Sequence, residues 1–203
     1  MGRLLAQSLG YLYLDSGAFY RAVAWAAARK GLDLTDAAAL DQFLAGFAPE
    51  VTADARGFHL WLEGREVTRE LRGPQVSRDA SRVAVLPGVR RWVKERLRAL
   101  ARDRGVVAEG RDQGSVVFPE AEFKFYLDAD LETRARRRLK DWQRDGDPPA
   151  LEEIMRQLAD RDRQDESRGE APLTVPPGAV RIDTTALSVE EVVQQCLARI
   201  RGH

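Results

Sequence analysis

The sequence contains few of the residues that form disulfides or bind metals in small proteins. Its 203 residues include one cysteine, Cys196, and two histidines, His59 and His203, which lie far apart along the chain. A disulfide framework is therefore excluded, and a structural zinc site is not expected. A single cysteine in an apolar, helix-like stretch is typical of a reducing compartment, so we expect a cytoplasmic protein.

Net charge and long hydrophobic runs are also absent. The 32 basic and 32 acidic residues cancel at pH 7, so no overall field attracts the chain to nucleic acid or to a membrane. No apolar run approaches the roughly 20 residues that a transmembrane helix needs. We therefore expect small-molecule ligands, without nucleic-acid or membrane partners. A monomeric state is also expected. Residues 1–203 are long enough for one domain with a small insert.

Short apolar stretches alternate with helical patterns along the chain. Buried strands are predicted at 11–14, 106–108, 123–127 and 180–182. Strands that alternate with helices predict an α/β fold, with a parallel sheet covered by helices on both faces. Residues 50–67 differ, because their apolar residues alternate around a Glu63-Gly64 turn, and this pattern predicts a small antiparallel insert.

Two polar turns, at 15–17 and 109–114, follow predicted strands. The first opens an alanine-rich helix from Ala18 that should end before Gly31. Ligands in parallel α/β sheets bind beyond the carboxyl ends of the strands. A helix N-terminus with Arg21 nearby suits an anion. Taken alone, however, the stretch fits a capped helix with a solvated arginine slightly better.

A second group of arginines lies near the C-terminus. Arg161, Asp165 and Arg168 stand at positions i, i+4 and i+7, which places them on one helix face. By itself the pattern indicates a solvated salt-bridge ladder. Together with the arginine-bearing turns it favours a phosphorylated substrate, because guanidinium groups bind phosphate bidentately and stay charged during phosphoryl transfer. Three arginines at 136–138 could contact nucleic acid, but acidic neighbours favour a charged helix that also touches phosphates.

These features resemble bacterial cytidylate kinases, in order and in spacing. The segments that carry the resemblance are YLDSGAFYR, AEGRDQGSVVFPEA, FKFYLDAD, ETRARRR and RDRQDESRGEAPL. Together they cover essentially the whole chain. The resemblance implies a parallel sheet of the P-loop nucleoside monophosphate kinase type and phosphoryl transfer from ATP to CMP or dCMP with Mg²⁺. It also implies a substrate-binding insert that starts within about 48–72 and a lid at about 131–168.

The resemblance also implies roles for individual residues. The phosphate of CMP would be held by Ser16, Arg21 and Arg111, with Arg168 nearby. The ribose hydroxyls would be contacted by Arg161 and Asp165. The residues expected to act on the transferred phosphoryl group are Arg111, Arg168 and the lid arginines Arg134 and Arg138.

Cytosine recognition is implied for Ser81, Arg90 and Asp112. Cytosine offers one amino donor and two acceptors, so Asp112 and Ser81 can accept from N4 while Arg90 donates to N3 and O2. Uracil would present a carbonyl to Asp112 instead. A buried mismatch of this kind costs about 1–3 kcal/mol.

The sequence departs from the family in three respects. Glu109 stands where the family often has Asp, and Gln164 replaces a frequent Arg. The third departure is that the ATP-binding loop G-x-x-x-x-G-K-[ST] does not occur in the 203 residues. In the family this loop follows a central strand of the sheet and comes just before the helix that matches residues 1–9. We expect the natural enzyme to begin upstream, with the central strand and the loop.

Without that loop, the chain as printed is expected to be inactive or nearly so, because the loop supplies the main electrostatic stabilisation of the transition state. Two alternatives remain open. The first is a non-catalytic CMP-binding module. The second is another small-molecule kinase of the same fold, such as an adenylate or shikimate kinase, although Ser81, Arg90 and Asp112 argue against it.

Overall fold

The computed structural model describes residues 1–54, 57–143, 149–167, 169 and 172–202. The chain divides into two compact units. One is formed by Gly2–Gly110, and the other by Met1 together with Arg111–His203. No helix in the described part of the chain is long and apolar enough to cross a membrane.

The first unit contains five helices and five strands among its described residues. Its helices are α1 (Gly2–Leu9), α2 (Ser16–Arg29), α3 (Ala37–Gly46), α4 (Pro74–Val83) and α5 (Pro87–Ala101), with a short 3-10 turn at Glu70–Arg72. Its strands are β1 (Leu12–Asp15), β2 (Glu50–Ala53), β3 (Phe58–Leu62), β4 (Arg65–Glu66) and β5 (Val106–Glu109).

Strands β1 and β5 form a parallel pair, in a register from Leu12 opposite Val106 to Asp15 opposite Glu109. The predicted strand at 11–14 is thus confirmed with a shift of one residue. The following helix begins at Ser16 rather than at Ala18, because Oδ1 of Asp15 accepts a hydrogen bond from the Ala18 amide at 3.1 Å and so caps the helix. The two strand ends place Asp15 and Glu109 side by side.

The predicted antiparallel insert is confirmed. Strands β2, β3 and β4 form one antiparallel sheet. Glu63 and Gly64 connect β3 to β4 with φ angles of +53° and +75°. Positive φ at both central residues is the signature of the type I′ turn, whose twist matches that of a two-stranded hairpin.

Aromatic side chains hold the first unit together. The ring of Phe19 on α2 lies 5.5 Å from that of Phe58 on β3 and 5.8 Å from that of Trp92 on α5, both edge to face. Leu14 on β1 and Val23 on α2 are fully buried. Helix α2, which follows the first polar turn, is therefore anchored on two sides, and the turn has a rigid support.

The second unit contains a second parallel pair. Strands β6 (Phe125–Asp128) and β7 (Val180–Asp183) pair from Phe125 opposite Val180 to Asp128 opposite Asp183. The helices are α6 (Leu131–Gln143), α7 (Leu151–Ser167) and α8 (Val189–Arg201), and a π-helical turn spans Gln113–Val117.

Two local signals set the starts of helices in this unit. Oδ1 of Asp130 accepts from the Thr133 amide at 2.7 Å, so Asp130 caps α6. Ser188 and Glu191 exchange hydrogen bonds in a capping box at the start of α8.

The α/β architecture with parallel strands is confirmed, in the form of two parallel pairs. Within the described residues, each pair contains only its two strands.

Candidate functional site

The turn at the end of β1 is held by the neighbouring strand. The hydroxyl of Ser16 donates to the backbone oxygen of Glu109 at 2.9 Å, and Ser16 is buried. This bond fixes the start of α2 against the end of β5. Arg21, one helical turn further on, donates from Nη2 to Oδ2 of Asp15 at 2.8 Å. Ser16, Arg21 and the helix start are therefore brought together, as the sequence predicts.

The carboxyl of Glu109 lies beside this turn. Burial raises the pKa of Glu109, and the nearby charge of Asp15 raises it further. The hydroxyl of Tyr13 is hydrogen-bonded to the Glu109 carboxyl, and the pKa of Tyr13 is raised above its ordinary range by burial and then by the same two carboxylates. A Cβ atom added at Gly2 would lie 2.7 Å from Oε2 of Glu109, so the N-terminus of α1 approaches this carboxyl closely. Desolvation and the charge of Asp15 thus raise the pKa of Glu109, whereas the hydrogen bond from Tyr13 opposes them.

The two base-reading candidates on α4 and α5 are held by backbone contacts. The Ser81 hydroxyl donates to the Ser77 carbonyl at 3.3 Å. Arg90 is only 6% exposed, and its Nη1 donates to the Ala84 carbonyl at 3.1 Å. A buried arginine with a fixed guanidinium is pre-organised for a flat partner.

In the second unit, two predicted arginines converge on one carboxylate. Oδ2 of Asp165 lies 3.3 Å from Nε of Arg111 and 3.7 Å from Nε of Arg161. Asp165 is buried, whereas the side chains of Arg111 and Arg161 are 41% and 40% exposed. The structure thus brings three of the predicted site residues together, with the carboxylate inside and the guanidinium groups accessible. Arg168 lies outside the described residues.

Asp112 follows Arg111 and is only 5% exposed. Its Oδ1 accepts a hydrogen bond from Nε2 of Gln113 at 3.2 Å, and its backbone oxygen accepts from the amides of Val116 and Val117. The carboxylate is thus fixed at the first turn of the π-helical segment. A buried, oriented carboxylate is suited to accept hydrogen bonds from an amino group.

The lid arginines on α6 each have a partner within the second unit. Arg134 donates from Nη1 to Oδ2 of Asp162 at 2.6 Å and from Nε to the Ala129 carbonyl at 3.1 Å. The guanidinium of Arg138 lies 4.7 Å from the ring centroid of Trp142. Arg134 therefore links α6 to α7, and Arg138 covers an aromatic ring.

Sequence reasoning did not single out Arg137. Its guanidinium donates to Oγ1 of Thr184 at 2.9 Å, to the Thr184 carbonyl at 2.5 Å and to the Leu187 carbonyl at 3.3 Å. These bonds connect α6 to the loop that follows β7. No signal in the sequence distinguishes Arg137 from Arg136, which pairs with Glu132 on the helix surface.

Cys196 is not part of any reactive site. It is fully buried on α8, and burial raises the pKa of its thiol to about 11. A thiol that stays protonated and enclosed is a poor nucleophile. The residue therefore acts as a core side chain.

Comparison with known proteins identifies what the chain is similar to. The family model described as Cytidylate kinase matches residues 1–202. A cytidylate kinase of Pelotomaculum thermopropionicum is 42% identical over 201 residues, which cover 98% of this chain and 89% of that protein. A cytidylate kinase of Pseudomonas savastanoi pv. phaseolicola is 43% identical over 199 residues, covering 97% and 87%. A bifunctional pantoate ligase/cytidylate kinase of Synechococcus sp. is 42% identical over 195 residues, covering 95% and 36%.

Proposed function

We propose that this chain, which belongs to the cytidylate kinase family, transfers the γ-phosphoryl group of ATP to CMP or dCMP and so forms CDP or dCDP. The observation that carries the proposal is the buried carboxylate of Asp165, which holds Arg111 and Arg161 within 4 Å of one oxygen. Two oriented guanidinium groups that remain accessible are suited to the charge of a nucleotide phosphate and of the transition state.

The roles of the phosphate- and ribose-binding residues are proposals of the same kind. Ser16, Arg21 and Arg111 are assigned to the CMP phosphate, and Arg161 with Asp165 to the ribose hydroxyls. The fixed turn at Ser16 and the oriented guanidinium of Arg21 support the first assignment, because a phosphate is bound best by donors that are already in place. Arg168, Arg134 and Arg138 stay predicted contributors to phosphoryl transfer.

Cytosine recognition is assigned to Ser81, Arg90 and Asp112. Arg90 and Asp112 are buried, and a hydrogen-bonding mismatch is most costly where water cannot compensate for it. The carboxylate of Asp112 accepts from the cytosine amino group, whereas it meets a carbonyl oxygen in uracil. This difference is the proposed origin of a preference for CMP over UMP.

The substitution Asp112→Asn tests this assignment. The amide can donate to the O4 atom of uracil, so the ratio of CMP to UMP affinity should fall by about 10- to 100-fold, which corresponds to roughly 1–3 kcal/mol. Calorimetric titration of both nucleotides measures the ratio. Asp141→Asn, at an exposed position of α6, is the matched control and should leave it unchanged. An unchanged ratio in the Asp112 variant contradicts the assignment.

One motif expected of an ATP-binding kinase is missing from the sequence. The loop G-x-x-x-x-G-K-[ST], whose backbone amides and lysine form the phosphate cradle of such kinases, does not occur in the 203 residues.

A coupled assay of CMP phosphorylation tests this part of the proposal. The 203-residue chain should turn over very slowly, because it lacks the loop that stabilises the transition state. Normal turnover by the 203-residue chain overturns the expectation. A chain that binds CMP while the full natural product fails to phosphorylate it would instead be a CMP-binding module, the second candidate function.

Mg²⁺ is proposed to arrive with ATP. When bound, it would neutralise part of the negative charge of the ATP phosphates. Among the described residues there is no group of three or more His, Cys, Asp or Glu side chains that could enclose a metal ion. Mg²⁺ in kinases is held by one or two carboxylates and the phosphates, and no residue of this chain is assigned to it.

The expected cytoplasmic location and monomeric state stay predictions.

A further inference from the structure

We propose that Asp15 is a positioning residue for Arg21: its carboxylate caps α2 with one oxygen and orients the phosphate-binding guanidinium with the other. The inference rests on the proposed function in one respect, namely that Arg21 contacts the phosphate of CMP. Asp15 itself is not assigned to any substrate contact. Its effect on CMP would pass through Arg21.

The two oxygens of Asp15 have separate partners. Oδ1 accepts from the Ala18 amide at 3.1 Å, and Oδ2 accepts from Nη2 of Arg21 at 2.8 Å. Asp15 and Arg21 are six residues apart, which is not a spacing at which side chains meet on a helix. They meet because Asp15 stands at the end of β1, just before the helix. The arrangement therefore ties the guanidinium to the strand as well as to the helix.

Gly17 leaves the space that this pair needs. A Cβ atom added at Gly17 would lie 2.9 Å from Nη1 of Arg21 and 3.1 Å from Oδ1 of Asp15. Both distances are shorter than ordinary van der Waals contacts. The guanidinium thus folds back over the first turn of α2, across a position without a side chain. The local sequence Asp-Ser-Gly is suited to this conformation.

The hydrogen bond to Asp15 uses only Nη2 of Arg21 and leaves its Nε donor unsatisfied. Nε of Arg21 is buried and has no hydrogen-bond partner among the residues that the structure describes. A buried donor without an acceptor is unfavourable, so an oxygen of a bound anion at this point is stabilising. The side chain is 23% exposed, which leaves a route for such a ligand. An orienting bond on Nη2 and an unsatisfied Nε are what a phosphate-binding arginine requires.

The surrounding charges favour Asp15 as the counter-ion of Arg21. The groups that face this arginine are Asp15 at the end of β1, Glu109 at the end of β5 and Tyr13 on β1. Asp15 is bonded directly to the guanidinium, with Oδ2 at 2.8 Å from Nη2. It is therefore the counter-ion that orients Arg21, while the other nitrogens of the guanidinium remain for a phosphate oxygen.

The test is a double-mutant cycle read with two ligands. CMP and cytidine, which lacks the phosphate, are titrated calorimetrically into the wild-type chain, Asp15→Asn, Arg21→Gln and the double variant. Asparagine keeps an oxygen that can accept from the Ala18 amide but loses the charge that orients Arg21. Asp15→Asn should weaken CMP binding by about 10-fold, leave cytidine affinity within about twofold, and have no further effect when Arg21 is already Gln.

Asp36 provides a matched control. Its Oδ1 accepts from the Ala39 amide at 3.0 Å and caps α3 in the same way, but no arginine is bonded to its other oxygen among the described contacts. Asp36→Asn should change neither CMP nor cytidine affinity. It isolates the contribution of a helix cap from that of the Asp15–Arg21 bond.

The other possible outcomes of the titrations each contradict one part of the proposal. Equal losses of CMP and cytidine affinity in Asp15→Asn, or additive effects with Arg21→Gln, overturn the positioning role of Asp15. An Arg21→Gln variant that binds CMP and cytidine as the wild type does overturns the phosphate role of Arg21, and with it this inference. If Asp15→Asn does not fold by circular dichroism, Asp15→Ser keeps a capping oxygen but is too short to reach Arg21. The same comparison then applies.

Discussion

Nε of Arg111 lies 3.3 Å from Oδ2 of Asp165, a carboxylate whose side chain is only 9% exposed. Arg111 precedes the π-helical turn and Asp165 lies near the end of α7, so the contact joins two separate elements. Arg161, one helical turn before Asp165, approaches the same oxygen at 3.7 Å. One buried carboxylate thus orients two cations whose donors remain accessible.

Replacing Asp165 by Asn should weaken its contacts with Arg111 and Arg161. Two guanidinium groups without a shared counter-ion repel each other, and the loss of a charge-assisted contact to a buried acceptor costs roughly 1–3 kcal/mol in unfolding free energy. CMP affinity should fall by about 10-fold or more, because the arginines lose their orientation. Urea unfolding and calorimetric titration measure the two effects.

Asp160→Asn is the control for that prediction. Asp160 pairs with Arg163 on the same helix, and both side chains are more than half exposed. Exposed pairs of this kind contribute about 0–1 kcal/mol. The variant should therefore keep both its unfolding free energy and its CMP affinity close to the wild-type values. Equal effects at the two positions would contradict the special role of Asp165.

Arg137 should matter more for stability than its neighbour Arg136. The three hydrogen bonds from Arg137 to Thr184 and Leu187 join α6 to the loop after β7. Charge-assisted bonds of this kind contribute about 1.5–3 kcal/mol, so Arg137→Ala should lower the unfolding free energy by that order. Arg136→Ala removes only an exposed pair with Glu132 and should cost about 0.3–0.5 kcal/mol. Thermal or urea unfolding of the two variants tests the difference.

The conservative variant Arg137→Lys distinguishes geometry from charge. Lysine keeps the positive charge but cannot reproduce the planar fork that contacts two carbonyl oxygens and a hydroxyl. It should recover only part of the stability lost in Arg137→Ala. Full recovery would show that charge alone is sufficient at this position.

Glu109 should make the protein less stable as pH rises. Burial, followed by the charge of Asp15, raises its pKa in the folded state above the ordinary value of 4.5. The folded protein therefore holds this proton to a higher pH than the unfolded chain does. The resulting stabilisation is complete below about pH 4.5 and is lost as pH rises through the folded pKa. Glu109→Gln stays neutral, so its stability relative to wild type should improve from pH 4.5 to pH 8.

Glu191→Gln should show the opposite trend. Hydrogen bonds from the backbone and the hydroxyl of Ser188 lower the pKa of Glu191 in the folded state. Its stabilisation is present above about pH 4.5 and is lost as pH falls through the folded pKa. The advantage of the wild type over this variant should therefore grow with pH. Urea unfolding at several pH values compares both slopes, and parallel slopes for the two variants would refute the assignment.

Local patterns predicted much of the fold, because their causes are local. The Glu63-Gly64 turn depends on two adjacent residues, and it is confirmed. The Asp130 cap and the Ser188–Glu191 capping box likewise depend on residues within a few positions. The observed start of α2 differs from the prediction by two residues, since Asp15 rather than Gly17 precedes the helix. The turn chemistry of residues 15–17 predicts a turn there, whereas Asp15 ends β1 and caps the helix.

The partners of the site arginines could be predicted only in part. The contact of Arg161 with Asp165 follows from i, i+4 spacing. The contact of Arg111 with Asp165 joins residues that are distant along the chain. The bonds of Arg137 to the loop after β7 likewise join residues 47 or more positions apart. Such contacts depend on tertiary packing, which periodicity does not encode. The arginine-rich pattern therefore predicted anion binding, but not which arginines are used internally.

Arg138 should leave Trp142 when it engages a phosphate. In the structure its guanidinium lies 4.7 Å from the ring centroid of Trp142, a cation–π contact that contributes about 0.5–2 kcal/mol. A phosphate offers a stronger, bidentate partner, so nucleotide binding by a catalytic Arg138 must change the surroundings of this ring. ¹⁹F NMR of protein labelled with fluorotryptophan, with the resonance assigned through Trp142→Phe, should show the Trp142 signal move when CMP and ATP–Mg²⁺ are added. In Arg138→Gln the signal should start at a shifted position and respond little to the nucleotides, and turnover should fall.

If the Trp142 signal in the wild type stays fixed at saturating nucleotide while turnover is normal, Arg138 is a structural residue of α6 and its predicted catalytic role is wrong.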